Sequence, residues 1–275
     1  QARLGRNRVQ RPESAVMKAI ILAAGKGTRL DGAAVKPKCL VEVGGLTLLQ
    51  RQIDSLKAVN IDDIVIVVGF GADSIREACG DSVSFVENER YAETSSLYSL
   101  WLAREHLVDG FVVLNSDVLV HPQLLADLIE SSHEDALLLS DTDLNPLGDE
   151  EMKVKLRDRL VIDISKAMDP LEADGENVGI VKFSAAGAKA LIGYMNALIA
   201  GGAVKDWAPR AFREFALHHP LYALSTRGLP WIEIDFPEDY QRAVHEVYPK
   251  IEAALFPDQQ SYLPSTPAAV ALNES

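Results

Sequence analysis

Residues 18–30 read KAIILAAGKGTRL. The first half is a short apolar run ending in small residues, which reads as a buried strand. The second half is a glycine-rich loop carrying Lys26 and Arg29. Small residues let backbone approach a ligand closely. Glycines accept the positive φ angles that turn successive N–H groups toward one anion. A strand running straight into such a loop predicts an open α/β sheet with a phosphate-bearing ligand at its carboxyl edge. Two familiar phosphate loops are excluded. A Walker A loop needs glycine five positions before its Gly-Lys pair, where this chain has Ile20; a dinucleotide fingerprint needs glycine at 30, which is Leu30. Downstream, Lys36-Pro37-Lys38 precedes an apolar stretch, Cys39 to Val43. A lysine at a strand edge there reaches back across the loop toward the same phosphates.

Outward from this stretch, strand and helix patterns alternate. Strands are expected at Ile64 to Val68, Val83 to Val86, Phe111 to Asn115 and Ala136 to Ser140. Helices are expected at Leu46 to Val59, Asp73 to Cys79, Ser95 to Leu107 and Pro122 to Ile129. This pitch implies βαβ units and a mostly parallel sheet covered on both faces. After residue 140 the pattern changes. Met152 to Leu156 and Leu160 to Ile164 flank Arg157-Asp158-Arg159 as a hairpin. A strand at Val178 to Phe183, helices near 185–199 and 206–217, a strand at Trp231 to Ile234 and a helix at Glu238 to Leu255 follow. The expected fold class is α/β: a Rossmann-like, mostly parallel mixed sheet with helices on both faces and a small inserted β-rich lid. One domain is expected over 17–256, with the lid and acceptor region at about 141–220. Residues 1–16, with four arginines and no apolar core, read as a flexible extension before Met17, and 257–275 as a loose tail.

Composition limits the partners. The 275 residues carry a formal net charge of -13. An acidic surface repels a phosphate polymer or an anionic bilayer, so neither nucleic acid nor membrane insertion is expected. The longest apolar runs fall far short of a membrane span. Two cysteines, Cys39 and Cys79, without metal-ligand spacing, suit a reducing, cytoplasmic setting. Homo-oligomerisation stays open.

The segments AIILAAGKGTRL and KPKCLVEVGG together resemble the signature of nucleotidyltransferases of the sugar-1-phosphate and phosphocholine cytidylyltransferase type. The resemblance runs over about 50 residues, and the order of elements continues to about residue 250. It implies that Leu22, Ala23, Ala24, Gly25, Lys26, Gly27, Thr28 and Arg29 hold the triphosphate of an NTP, and that Lys38 steadies the α-phosphate and the incoming acceptor. Arg29 and Lys38 are then the catalytic cations. Two aspartates follow strands, Asp117 after FVVLNS and Asp235 in IDFPEDY. Mg²⁺ favours one or two carboxylates plus phosphate oxygens, and the resemblance implies that Asp117 and Asp235 hold it. Asp239 falls in a first helical turn, where the dipole favours it.

The stretch NERYAETSSLYSL resembles the phosphocholine branch, which implies that Asn88 with Ser95 or Ser96 reads a pyrimidine and hence that the nucleotide is CTP. Serine stands where that branch has asparagine, and Thr94 or Ser95 also suits a helix cap. The resemblance further implies Lys166 and Gly179 at the acceptor, and Lys153, after Glu150-Glu151-Met152, is a further candidate for the acceptor phosphate. Ser165 before Lys166 departs from the Glu-Lys of many sugar-nucleotide enzymes and favours a non-hexose acceptor. Choline calls for an aromatic cage, yet aromatics make up only 7% of the chain. The acidic Asp141, Asp143, Asp149, Glu150 and Glu151 suit a primary ammonium instead, as in 2-aminoethylphosphonate. The implied activity is Mg²⁺-dependent transfer from CTP to a small phosphate or phosphonate such as phosphocholine or 2-aminoethylphosphonate, with release of pyrophosphate. Two alternatives are a sugar-1-phosphate nucleotidyltransferase using UTP or dTTP and a non-catalytic nucleotide-binding regulatory protein. The joint presence of Arg29, Lys38, Asp117 and Asp235 argues against the second.

Overall fold

The computed structural model describes residues 17–31, 36–142 and 147–255. The expectations for both termini and for Asp143 therefore lie outside the described residues. In chain order the strands are β1 Lys18–Ala23, β2 Glu42–Val43, β3 Leu46–Thr47, β4 Ile64–Val68, β5 Ser84–Glu87, β6 Phe111–Asn115 and β7 Val118–Val120. They continue with β8 Ala136–Asp141, β9 Lys153–Arg157, β10 Leu160–Ser165, β11 Gly175–Phe183, β12 Tyr222–Ser225 and β13 Trp231–Glu233. The helices are α1 Thr28–Asp31, α2 Leu48–Ala58, α3 Ala72–Cys79, α4 Ser96–Leu102, α5 Pro122–Glu130, α6 Ala185–Ala200, α7 Pro209–Ala216, α8 Pro237–Arg242 and α9 Tyr248–Leu255.

Among the described residues one sheet has nine strands in the order β5-β4-β1-β6-β11-β8-β12-β10-β9. Strands β5, β4, β1 and β6 run parallel, and β11 enters antiparallel between β6 and β8. Successive side chains of a strand point to opposite faces, and the core divides accordingly. Ile20, Leu22, Val65, Val67, Val113 and Phe183 pack beneath α4, α6 and α7. Ala19, Ile21, Ile64, Ile66, Val112 and Leu114 pack beneath α2, α3 and α5. This explains why the parallel strands read as uninterrupted apolar runs. A third cluster joins Val43, Leu48, Leu119, Ile232, Ile234, Val247 and Ile251, seating the C-terminal helices beside the sheet.

The expected hairpin at 152–164 is present, with Asp158 and Arg159 at φ 52° and 67°. Two consecutive positive φ values match the twist of a two-residue hairpin turn. The hairpin is not a separate layer: β10 pairs with β12, and β9 pairs with the start of β11. The region read as a lid thus extends the main sheet. The single helix expected from Glu238 to Leu255 is interrupted by a π turn at Ala243–Val247. Lys38 opens a short 3₁₀ turn, Lys38–Leu40, rather than sitting at a strand edge. No helix among the described residues is long and apolar enough to cross a membrane. Cys39 and Cys79 are both free thiols.

Candidate active site

A cavity of about 430 Å³ opens at the carboxyl ends of β1 and β6. Its floor is the loop after β1. Leu22, Ala23 and Ala24 are buried, whereas Gly25 and Lys26 are exposed to the cavity, and Thr28 opens α1. Gly27 takes φ +60°, and a Cβ there would lie 3.0 Å from the Cβ of Lys38. The left-handed backbone and this close approach require glycine. Lys26 stands 5.8 Å from the Tyr91 ring centroid, so its charge hangs over the loop.

Asp117 and Asp235 come together through two very short strands. Pairing of β7 with β13 aligns Val118 with Glu233, and the Ile234 amide donates to the Asp117 carbonyl at 3.0 Å. The turn before β7 is pinned by the buried Gln52, whose amide donates to the carbonyls of Asn115 and Val118 at 2.8 and 2.9 Å. On the other side Asp239, at the start of α8, accepts from the amides of Asp235 and Phe236 at 3.1 and 2.9 Å. Its place in the first helical turn is as expected, and it fixes the backbone that presents Asp235.

Lys38 lies between the two aspartates. Its ammonium is 3.0 Å from Asp117 Oδ2 and also bonds Asp235 Oδ1. Arg29 reaches the second oxygen of Asp235 at 2.7 Å. Burial works against the Lys38 charge, but Asp117 and Asp235 outweigh it and hold the ammonium above its ordinary range. Carboxylate oxygens of Asp117, Glu233 and Asp235 lie within 4.8 Å of one another. Burial, reinforced by Asp117 and Asp235, pushes Glu233 up to about 8. Three half-buried carboxylates beside a phosphate-sized loop fit a hard divalent cation such as Mg²⁺, which takes few protein oxygens and leaves room for substrate phosphate. Glu233 was not singled out from sequence. Its signal was its position two residues before Asp235, on the same side of an extended strand.

The remaining wall divides in two. On one side Asn88, Tyr91, Thr94, Ser95, Ser96 and Ser99 line the cavity. Asn88 is fully buried; its amide donates to Thr94 and Ser99 hydroxyls at 3.0 Å each, and its carbonyl accepts from the Arg90 amide. The Ser96 hydroxyl accepts from the Ala208 amide at 2.9 Å. Both side chains build the wall from within. Ser95 is the N-cap of α4 by backbone, without a capping side-chain bond.

On the other side stand Glu150, Met152, Lys166, Asn177 and Trp207. Glu150 Oε2 is 3.5 Å from Arg29 and 3.8 Å from Lys166, whose ammonium sits 5.0 Å from the Trp207 ring centroid. Two expected acceptor residues do not line the cavity. Lys153 is fully buried, with its ammonium on three main-chain carbonyls. Gly179, at φ +83°, backs onto Asn115, whose side-chain nitrogen would lie 2.6 Å from a Cβ there. Among the described residues of the acidic set expected around an ammonium, Asp141, Asp149, Glu150 and Glu151, only Glu150 lines the cavity. Asp141 bonds the Ser225 hydroxyl, and Glu151 accepts from the Gly148 amide at 2.8 Å.

Residues 19–233 match the family model of the MobA-like NTP transferase domain. The choline-phosphate cytidylyltransferase of Streptococcus pneumoniae is 40% identical over 121 residues, covering 42% of this chain and 52% of that protein. The CTP:phosphoglutamine cytidylyltransferase of Campylobacter jejuni is 28% identical over 188 residues, covering 61% of this chain and 73% of that protein. The matched chain spans about half or less of the length of the first curated relatives, 52% and 30%. The solved structure of the S. pneumoniae CTP:phosphocholine cytidylyltransferase aligns with a TM-score of 0.67 at 27% identity, covering 82% of this chain and 96% of that one.

Proposed function

Because this chain belongs to the MobA-like NTP transferase family, we propose that it joins CTP to a small phosphate or phosphonate acceptor and releases pyrophosphate. The observation that carries the reading is the convergence, in one cavity, of the glycine-rich loop, Arg29 and Lys38 with the carboxylates of Asp117, Glu233 and Asp235. Relatives named for CTP support the choice of nucleotide. Besides those above, the CMP-5'-(3-aminopropyl)phosphonate synthase of Streptomyces rubellomurinus is 32% identical over 143 residues, half of this chain and 23% of that protein.

The chemistry is a problem of charge. An acceptor oxygen, already anionic near neutral pH, attacks the α-phosphorus. The bond to the bridging oxygen of the β-phosphate breaks, and pyrophosphate leaves with the electron pair. No general base is needed, so the protein's task is to bring two anions together and hold them in line. Loop amides from Gly25 to Gly27, with Lys26 and Arg29, cradle the triphosphate. Lys38 is placed to stabilise charge on the α-phosphate as it grows. Asp117, Glu233 and Asp235 would hold Mg²⁺, which supplies neutralisation of phosphate oxygens when bound. The wall from Asn88 to Ser99 receives the nucleoside, and the wall of Glu150, Lys166, Asn177 and Trp207 receives the acceptor. Among the described residues Glu150 and Trp207 on that wall suit a small aminoalkyl phosphate or phosphonate, such as 2-aminoethylphosphonate, better than choline, which calls for an aromatic cage.

Pyrophosphate release is the test. CTP and Mg²⁺ are supplied with 2-aminoethylphosphonate, phosphocholine, phosphoethanolamine or a hexose-1-phosphate. Turnover with one of the first three supports the proposal; turnover with the hexose phosphate alone refutes the acceptor assignment.

A further inference from the structure

Lys153 is the first residue of β9, and its side chain is wholly excluded from solvent. A lysine ammonium has three N–H donors and no acceptor. All three find main-chain carbonyls: Asp149 at 3.1 Å, Glu151 at 3.2 Å and Lys166 at 2.8 Å. Nothing remains for a substrate phosphate, which removes the role expected from sequence. The three carbonyls belong to two separate segments. One carries Glu150 and the other carries Lys166, and both of these side chains line the acceptor wall. Their own contacts are loose: Glu150 is 70% exposed and meets Arg29 and Lys166 only at 3.5 and 3.8 Å. Exposed ion pairs of this kind hold little by themselves. The fixed point beneath them is the buried ammonium.

We propose that Lys153 is a positioning residue for the acceptor, tying the Glu150 segment to the Lys166 turn so that both side chains face one ligand. This rests on the cytidylyl-transfer reading for the identity of the acceptor, but not for the tie itself. Its place in the sheet supports it. Lys153 pairs in register with both Glu176 of β11 and Ser165 of β10, so it sits where two strands and the loop before β9 meet. Removing the ammonium takes its donor from three part-buried carbonyls, and polar groups that lose a partner away from water drive local rearrangement. The two segments then move apart while the triphosphate loop, held by its own backbone at the carboxyl end of β1, keeps its geometry.

The test uses the full chain with CTP, Mg²⁺ and 2-aminoethylphosphonate or phosphocholine, comparing wild type with Lys153→Met and Lys153→Arg. For Lys153→Met the KM for the acceptor rises tenfold or more, while the KM for CTP stays within twofold. Lys153→Arg, which keeps a buried cation, falls between. Amide hydrogen exchange is read in parallel: segments 148–152 and 165–168 lose protection together, and β1 and β6 do not. A rise in acceptor KM with unchanged exchange means that Lys153 touches the acceptor itself, and overturns the proposal. A uniform loss of protection with equal effects on both KM values, or failure of both variants to fold, makes Lys153 a general structural residue and also overturns it. If wild type turns over no acceptor, the functional reading fails, and the exchange pattern alone decides whether the tie exists.

Discussion

Replacing Lys38 by Met removes the one ammonium that touches both Asp117 and Asp235, with little change in side-chain volume. Lys38 is 11% exposed as a side chain, and its partners 22% and 17%. Breaking a buried pair by removing one partner costs about 3–5 kcal/mol, because the other charge stays buried. Partial exposure and the remaining Arg29 contact with Asp235 place the loss at the lower end, about 3 kcal/mol. For a chain of this size about 1 kcal/mol moves Tm by roughly 2–4 °C, so a fall of roughly 6–12 °C is expected without divalent cation. Added Mg²⁺ should recover much of it, since the freed carboxylates are the proposed ligands, and should help wild type less. Differential scanning fluorimetry with chelator and with millimolar Mg²⁺ reads both quantities. A metal-free Tm equal to wild type, or no larger Mg²⁺ response in the variant, refutes the argument that Lys38 holds the carboxylates in register. In the assay, kcat should fall roughly 10²–10³-fold, the scale of losing one preorganised donor to developing charge.

Asp239→Ala removes the acceptor of the Asp235 and Phe236 amides. It should cost about 1 kcal/mol of stability, as helix caps do, and a melt together with the Mg²⁺ dependence of turnover shows whether Asp235 has lost its hold. Gly27→Ala should raise the KM for CTP at least tenfold while leaving the acceptor KM near wild type, since the new Cβ meets Lys38 and the φ is positive; steady-state kinetics with each substrate varied separates the two. Glu176 is pushed up to about 7, first by burial and then by Glu151. Between its ordinary 4.5 and that value the folded chain holds a proton that the unfolded chain has released, so stability falls as pH rises through this window. Glu176→Gln should therefore gain on wild type by about 3 kcal/mol at pH 8 relative to pH 4.5, measured as the difference in urea unfolding free energies.

Much of this was legible in the chain because long apolar runs and a glycine-rich turn are local signals. Ile64–Val68 and Phe111–Asn115 occur with the expected bounds, since a buried parallel strand needs no partner of special composition to be recognised. The loop after β1, Lys38, Asp117 and Asp235 do meet in one cavity. What the chain hid was contact at long range. A strand was expected at Trp231 to Ile234, where β13 lies, but the three-residue β7 is too short for periodicity, and it is the pairing of these two that sets Asp117 beside Asp235. Glu233 lies in that expected strand, but its carboxylate joins the cluster only through the same long-range pairing. Lys153 was a candidate for the acceptor phosphate, and only the fold shows it buried with three carbonyls converging on it. Asn88, implied by the resemblance as a pyrimidine contact, lines the cavity, and its side chain also ties Arg90, Thr94 and Ser99 together, a structural role that its place in the sequence did not reveal.

In the proposed function the carboxylate cluster and the cations beside it serve transfer of a cytidylyl group. The most direct measurement is pyrophosphate release from CTP with 2-aminoethylphosphonate or phosphocholine, in wild type and Asp235→Asn, with Mg²⁺ and with chelator. Turnover is expected only in wild type with Mg²⁺, while Asp235→Asn remains folded by circular dichroism. Undiminished release with chelator, or from Asp235→Asn, would contradict it.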